Sequence, residues 1–232
     1  MVGSPAWPPT VSDRSSTLGD LLAEARDLGF LGAGPVSRHV DQSRAFAAVV
    51  EVSLTAHPVR DELAAGSPRS VVDLGSGAGV PGLVLALHWQ STLFVLVDAN
   101  LRRAGFLLRA VRALGLTARV TVVAQRAEDF GRTPSRRGRF DLVTARGFGR
   151  PAVVAECAAP LLGVGGLLVV SEPPPGVSVP GGRWTAEGLA ELGMGQAKPL
   201  WSAYGFVVVT QQRACPLRYP RRVGVPAKRP LF

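Results

Sequence analysis

The chain is poor in the residues that build disulfides and metal sites. It has two cysteines (Cys157 and Cys215), three histidines (His39, His57 and His88) and only two lysines, Lys198 and Lys228, among 26 basic residues. Two isolated cysteines give neither a disulfide framework nor a metal-ligand spacing, so no metal and a reducing, cytoplasmic setting are expected. No apolar run reaches the roughly eighteen residues of a membrane helix, so no membrane partner is expected. The start, MVGSPAWPPTVSDRSS, has no basic segment followed by an apolar stretch. It reads as a disordered leader over residues 1–16 rather than a signal peptide. The glycine-rich turn at 75–82 is not followed by Lys-Ser or Lys-Thr, which excludes a P-loop.

What is present fits one medium domain. Of 232 residues, 47% are hydrophobic, enough for a core, and the net charge is +9. Residues 1–129 carry twelve basic and twelve acidic side chains, whereas residues 130–232 carry fourteen basic and five acidic. The whole excess therefore lies in the second part, and a one-sided excess favours a polyanion such as nucleic acid.

Residues 17–66 read as a helical N-terminal cap: Leu18, Leu21, Leu22, Ala25 and Leu28 recur at helical spacing, and 36–56 continue as a longer amphipathic helix. Pro58, Gly66 and Pro68 mark a boundary over 57–69. From residue 67 to 232 the pattern is that of a second unit. Apolar runs at 70–74, 92–98, 118–124, 140–145 and 166–171 alternate with helical candidates at 80–89, 100–114 and 150–162. Continuous Val/Leu runs predict strands buried on both faces, and their alternation with helices predicts a parallel sheet. KPLWSA and YGFVVVTQQR, at 198–213, leave no room for a helix between them and predict an antiparallel hairpin. The expected fold class is α/β: a Rossmann-like, mostly parallel seven-stranded sheet with a terminal antiparallel hairpin, as in class I S-adenosylmethionine-dependent methyltransferases.

VVDLGSGAGVPG, at 71–82, is the candidate ligand turn. Gly77, Gly79 and Gly82 satisfy the dinucleotide spacing G-x-G-x-x-G, but Pro81 falls inside it. In the other register Gly75 follows the strand directly, where a tight turn needs a residue without Cβ. Asp73 then sits two residues earlier. A carboxylate there would repel a pyrophosphate and can pair with the ammonium group of a methionine moiety. Asp98 ends the next strand and is placed to meet ribose hydroxyls in either cofactor class. Ala127-Glu128-Asp129 follows the third strand, where a polar residue can accept from an adenine amino group while a backbone N–H donates to the ring. S-adenosyl-L-methionine is the favoured cofactor, with a nicotinamide dinucleotide as the competitor.

DLGSGAGVPG (73–82), VDANLRRAGFLLRAVRALGL (97–116), RAEDF (126–130), FDLVTARGF (140–148) and YPRRVGVPAKRPL (219–231) resemble the RsmG (GidB) family. Those proteins are S-adenosylmethionine-dependent methyltransferases acting on N7 of a guanine in small-subunit ribosomal RNA. The resemblance covers about residues 36–232. It implies that Gly75 and Val80 line the methionine and ribose side of the cofactor and that Ala127 and Glu128 flank its adenine; with Asp73, Gly77, Gly79 and Asp98 from the turn and strand end, these are the expected cofactor residues. Arg146 matches the family's arginine after the fourth strand and would orient substrate or cofactor. The short Arg38-His39 pair also matches. The family usually has Lys-Gly after the fifth strand, where this chain has Ser171-Glu172, and the family's Asn-Leu-Thr segment is lacking near the N-terminus.

Absences narrow the reaction. The end of the fourth strand reads TARGF, not the Asn/Asp-Pro-Pro-Tyr/Phe of exocyclic-amine methylation. Pyrimidine C5 transfer needs a cysteine nucleophile, and Cys157 lies in an apolar helical segment. Lysine-assisted ribose methylation needs lysines at the cofactor-side strand ends, where neither Lys198 nor Lys228 lies. Guanine N7 has a lone pair and no proton, so positioning suffices. The tail 213–232 has six basic residues, four prolines and no acid. An extended segment is expected in which Arg218, Arg221, Arg222, Lys228 and Arg229 meet RNA phosphates, and Tyr219 and Phe232 stack on bases. The expected partner is 16S ribosomal RNA or the small subunit, met by a monomer. A small-molecule methyltransferase and a non-catalytic cofactor- or RNA-binding module remain the alternatives.

Overall fold

The computed structural model describes residues 11–55, 67–173 and 183–232. Period-two alternation organises the sheet. In β1 (Ser70–Leu74), Val71 turns to one apolar cluster while Val72 and Leu74 turn to the other. The same split recurs in β4 (Phe140–Ala145), with Leu142 opposed to Val143 and Ala145, and in β5 (Leu162–Glu172), with Leu167 and Val169 opposed to Leu168 and Val170. Strands apolar on both faces must be covered twice, which is why the expected α/β architecture forms.

The sheet has seven strands in the order β3-β2-β1-β4-β5-β7-β6, with β2 at Leu93–Val97, β3 at Val120–Val123, β6 at Lys198–Trp201 and β7 at Gly205–Thr210. β1 to β5 are mutually parallel, and β7 runs antiparallel to both β5 and β6. The expected terminal hairpin is therefore present. β5 begins four residues before the sequence expectation. Its register on β4 jumps from Phe140↔Leu162 to Leu142↔Leu167, and the extra residues are taken up by a glycine-rich bulge with Gly165 at φ 84°.

α3 (Gly82–His88) and α4 (Leu101–Ala113) pack on one face. α5 (Ala127–Arg132), α6 (Pro151–Ala158) and α7 (Ala186–Glu191) pack on the other. α1 (Val11–Asp27) and α2 (Val36–Thr55) also join the first face: Leu18, Leu22, Ala25, Phe46 and Val50 share one cluster with Val71, Leu142 and Phe206. α1 opens at Val11, inside the segment expected as a leader; residues 1–10, and most of the expected boundary at 57–69, lie outside the described residues.

The tail departs from expectation. It does not extend away but folds over the second face and ends in a short helix, α8 (Val225–Lys228). Arg137 donates to the carbonyls of Cys215, Pro216 and Tyr219. Arg221 grips Glu156, which is completely buried in α6, through Nε (2.8 Å) and Nη2 (2.6 Å). Tyr219 is 5% exposed and donates its hydroxyl to Glu191 at 2.7 Å. Phe232 packs on Gly188, where any Cβ would collide with its ring. These contacts hold the tail on the second face through Tyr219, Arg221 and Phe232.

Candidate functional site

The chain runs from β1 outward through β2 to β3 and then returns to β4 on the other side of β1. The carboxyl ends of β1 and β4 thus form the switch point where open α/β sheets bind ligands. A cleft of about 390 Å³ lies there, lined by Gly75, Asp98, Ala127, Glu128, Phe148 and Ala227 among others. That volume falls within the roughly 300–1,000 Å³ of small-molecule sites.

The glycine turn is shaped by backbone needs. Gly75, Gly77 and Gly79 all have positive φ, at 67°, 56° and 86°. A Cβ on Gly75 would stand 2.6 Å from the Phe148 ring, so its hydrogen keeps the turn and the loop after β4 in contact. Gly79 instead abuts Leu83 inside the fold. Of the glycines in this turn, Gly75 lines the cleft, which supports the register in which it follows the strand. Gly77, Gly79 and the buried Val80 shape the turn without being among the cleft-lining residues.

Asp98 lashes this turn to the next element. Its Oδ2 accepts from Gly77 N–H at 2.9 Å and its Oδ1 from Asn100 N–H at 2.8 Å. Asn100 in turn caps α4, accepting from Arg102 and Arg103 N–H. One lone pair on each Asp98 oxygen remains for a ligand. Glu128 sits at the start of α5, where the helix N-terminus favours an acid, and its Oε1 accepts from Gly224 N–H of the folded tail at 3.0 Å. The tail thereby supplies a wall of the cleft through Ala227.

Asp73 is not a lining residue. It is 1% exposed, accepts from Thr144 Oγ1 at 2.8 Å and from Gly82 N–H at 3.3 Å, and ties β1 to β4 and α3. Burial pushes its carboxyl up to about 6. The pairing with a cofactor ammonium expected from sequence is direct or through water; the direct form has no opening in this geometry.

Arg146, at the end of β4, lines a second cavity of about 410 Å³ that shares Phe148 and Gly149 with the first. Its Nη2 donates to His39 Nδ1, and His39 Nε2 faces the Gly32 carbonyl at 3.1 Å. Its Nη1 is buried with no hydrogen-bond partner among the described residues. Such an orphan donor, costly when buried, marks a place for an acceptor. Burial lowers the guanidinium pKa, and the Asp73 carboxylate opposes that. Glu172 faces the same cavity and is paired with Arg183 Nη1 (2.6 Å) and Trp184 Nε1 (3.0 Å), so this acid does not stand alone.

Of the basic tail residues, Arg218, Arg222, Lys228 and Arg229 are exposed, whereas Arg221 is taken up by Glu156 and Tyr219 is buried. The expectations that Arg221 meets phosphate and that Tyr219 stacks on a base are thus corrected. Phe148, Gly149, Gln125 and Ala227 line the cleft without having been singled out in the sequence. The position of Phe148, two residues after Arg146 at a carboxyl strand end, was the available signal. Among the described residues no cluster of three potential metal ligands occurs, and no helix is long and apolar enough to cross a membrane.

A sequence model of the family described as GidB, rRNA small subunit methyltransferase G, matches residues 53–172. A ribosomal RNA small subunit methyltransferase G of Prochlorococcus marinus is 38% identical over 79% of this chain and 76% of its own length. One of Deinococcus deserti is 41% identical over 71% and 69%. Among solved structures, an O-methyltransferase of Bacillus cereus in complex with SAH superimposes with a TM-score of 0.57 at 16% identity, covering 85% of this chain and 91% of that one. A putative O-methyltransferase of Klebsiella pneumoniae gives the same TM-score at 14% identity, over 85% and 90%. At that identity the likeness is one of fold, and the fold is the class I methyltransferase fold expected from the strand order.

Proposed function

The chain belongs to the rRNA small subunit methyltransferase G family, and on that premise we propose that it transfers a methyl group to N7 of a guanine in 16S ribosomal RNA of the small ribosomal subunit. S-adenosylmethionine would be held in the first cleft and would supply an electrophilic sulfonium methyl there. Asp98 would hold the ribose, Ala127 and Glu128 would flank the adenine, and Gly75 would let the backbone approach closely. The donor set fits the cofactor: spare carboxylate lone pairs, a glycine turn without Cβ, and a cleft of suitable volume.

The observation that carries the reading is the shared wall. Phe148 and Gly149 border both cavities, so an acceptor base beside Arg146 would lie next to the transferred methyl. N7 carries no proton, so the residues of the second cavity need only orient the base and tolerate the charge it gains. Exposed Lys228 and Arg229 directly follow the cleft-lining Ala227, where they would meet phosphates of an RNA placed over it. The enzyme would act as a monomer in the cytoplasm, where ribosomes assemble.

Tritiated-methyl transfer to small subunits and to naked 16S RNA, with mapping of the modified base, tests this. Label at N7 of one guanine is expected. Transfer to neither substrate, with tight cofactor binding, would overturn it.

A further inference from the structure

The second cavity is polar in a specific order. Arg146, two residues before the Phe148 that borders both cavities, lines it with Nη1 buried and unpartnered among the described residues. Glu172 also lines the cavity, its side chain 8% exposed, held by Arg183 and Trp184, one to each oxygen. A carboxylate has about four lone-pair sites, so each oxygen keeps one for a ligand. The cavity therefore offers one unpartnered donor, on Arg146, and a fixed acceptor pair, on Glu172.

Guanine has the complementary order. N7 and O6 are acceptors on one edge, and beyond O6 follow the N1–H and 2-amino donors. With N7 turned to the methyl, O6 falls beside it and the two donors point away. Adenine would offer an amino donor to Arg146 and a lone pair to Glu172, mismatched at both. The transferred methyl also leaves the purine cationic, which makes N1–H a stronger donor. A carboxylate on that edge therefore binds more tightly as the charge develops, and such differential binding accelerates transfer.

We propose that Glu172 is the residue that selects guanine, accepting N1–H and the 2-amino group with its two carboxylate oxygens while Arg146 Nη1 donates to O6. The proposal rests on the methyltransferase reading for the use made of the base, but the recognition itself is testable without transfer. The full-length protein, saturated with S-adenosylhomocysteine, is titrated with the 5′-monophosphates of guanosine, inosine and 1-methylguanosine. Inosine lacks the 2-amino group, and a charge-assisted bond lost there should weaken binding about tenfold. N1-methylation should weaken it further. Glu172→Gln, which keeps the side-chain volume but turns an amide donor toward N1–H, should bring guanosine down to the inosine level with S-adenosylhomocysteine affinity unchanged.

Equal affinity for the three nucleotides, no binding of any, or a guanosine preference retained by Glu172→Gln overturns the proposal. If that variant loses S-adenosylhomocysteine affinity, the wild-type series decides alone. Failure of methyl transfer to the ribosomal subunit, with the guanosine preference intact, would remove the ribosomal reading and leave the guanine site standing. Transfer without that preference would do the reverse.

Discussion

His39 and Arg146, 107 residues apart in sequence, are joined ring to guanidinium, with His39 Nδ1 as the acceptor. A guanidinium can only donate, so Nδ1 carries no proton and Nε2 is left to donate to the Gly32 carbonyl. Burial and the Arg146 charge both lower the imidazole pKa from 6.5, which keeps this tautomer neutral. α2 thus holds the cation that stands at the carboxyl end of β4 and lines the acceptor cavity. His39 is a positioning residue. His39→Ala should lower kcat about tenfold to a hundredfold through misplacement of Arg146, with cofactor affinity unchanged. Wild-type kcat should also fall on an acid limb below pH 6.5 that His39→Ala lacks. An unaltered pH profile in the variant would remove His39 from this role.

Asp73 carries a pH dependence of opposite sign. Its unfolded carboxyl ionises near 3.8 and its folded one near 6, raised by burial. The folded state holds the extra proton between those values, so the stabilisation is complete below 3.8 and lost as pH rises to about 6. Urea denaturation of wild type and Asp73→Asn between pH 4 and 7 checks this. The stability of the wild type relative to the variant should decline from pH 4 to 6 and level off above. A difference that grows with pH would place the folded pKa below the unfolded one.

Much of this site was legible in the chain order. The Val/Leu runs gave strands because a sheet covered on both faces requires apolar residues at every position, and Gly75 and Asp98 followed from their places at strand ends. Asp73 was legible as a strand-end acid but not as a buried one, because Thr144 and Gly82, which satisfy it, come from elements that only the fold brings together. α5 went unseen because six residues are too few to display a helical period. The tail misled for a related reason. A count of charges cannot tell a free arginine from a paired one, and the partner of Arg221 is 65 residues upstream.

Arg221→Ala should therefore act on stability, not on electrostatic attraction to RNA. Removing it strands Glu156, fully buried, without its partner. Breaking such a pair costs about 3–5 kcal/mol. Glu156→Gln combined with Arg221→Met should cost clearly less than Arg221→Ala alone, since no unpaired charge remains. Lys228→Ala and Arg229→Ala should leave the melting temperature near wild type and reduce the salt dependence of RNA binding. Chemical denaturation and salt-titrated filter binding separate the two classes. An Arg221→Ala protein of wild-type stability would show that Glu156 does not need this cation.

Asp98→Asn separates the lash from the ligand. The carboxylate accepts from Gly77 and Asn100 N–H with different oxygens. An asparagine offers one oxygen, so its amino group must face one of those two N–H donors. A loss of about 1–3 kcal/mol is expected from the unsatisfied pair, together with weaker cofactor binding as the turn loosens. Gly77→Ala is the control for the turn alone: its Cβ meets only ordinary contacts at 3.7 Å, but φ of 56° is disfavoured for alanine. It should cost about 1 kcal/mol and weaken the cofactor less than Asp98→Asn does. Calorimetric titration with S-adenosylmethionine alongside denaturant melts distinguishes them. If both variants weaken the cofactor equally, Asp98 acts only through the turn and makes no contact of its own with the ribose.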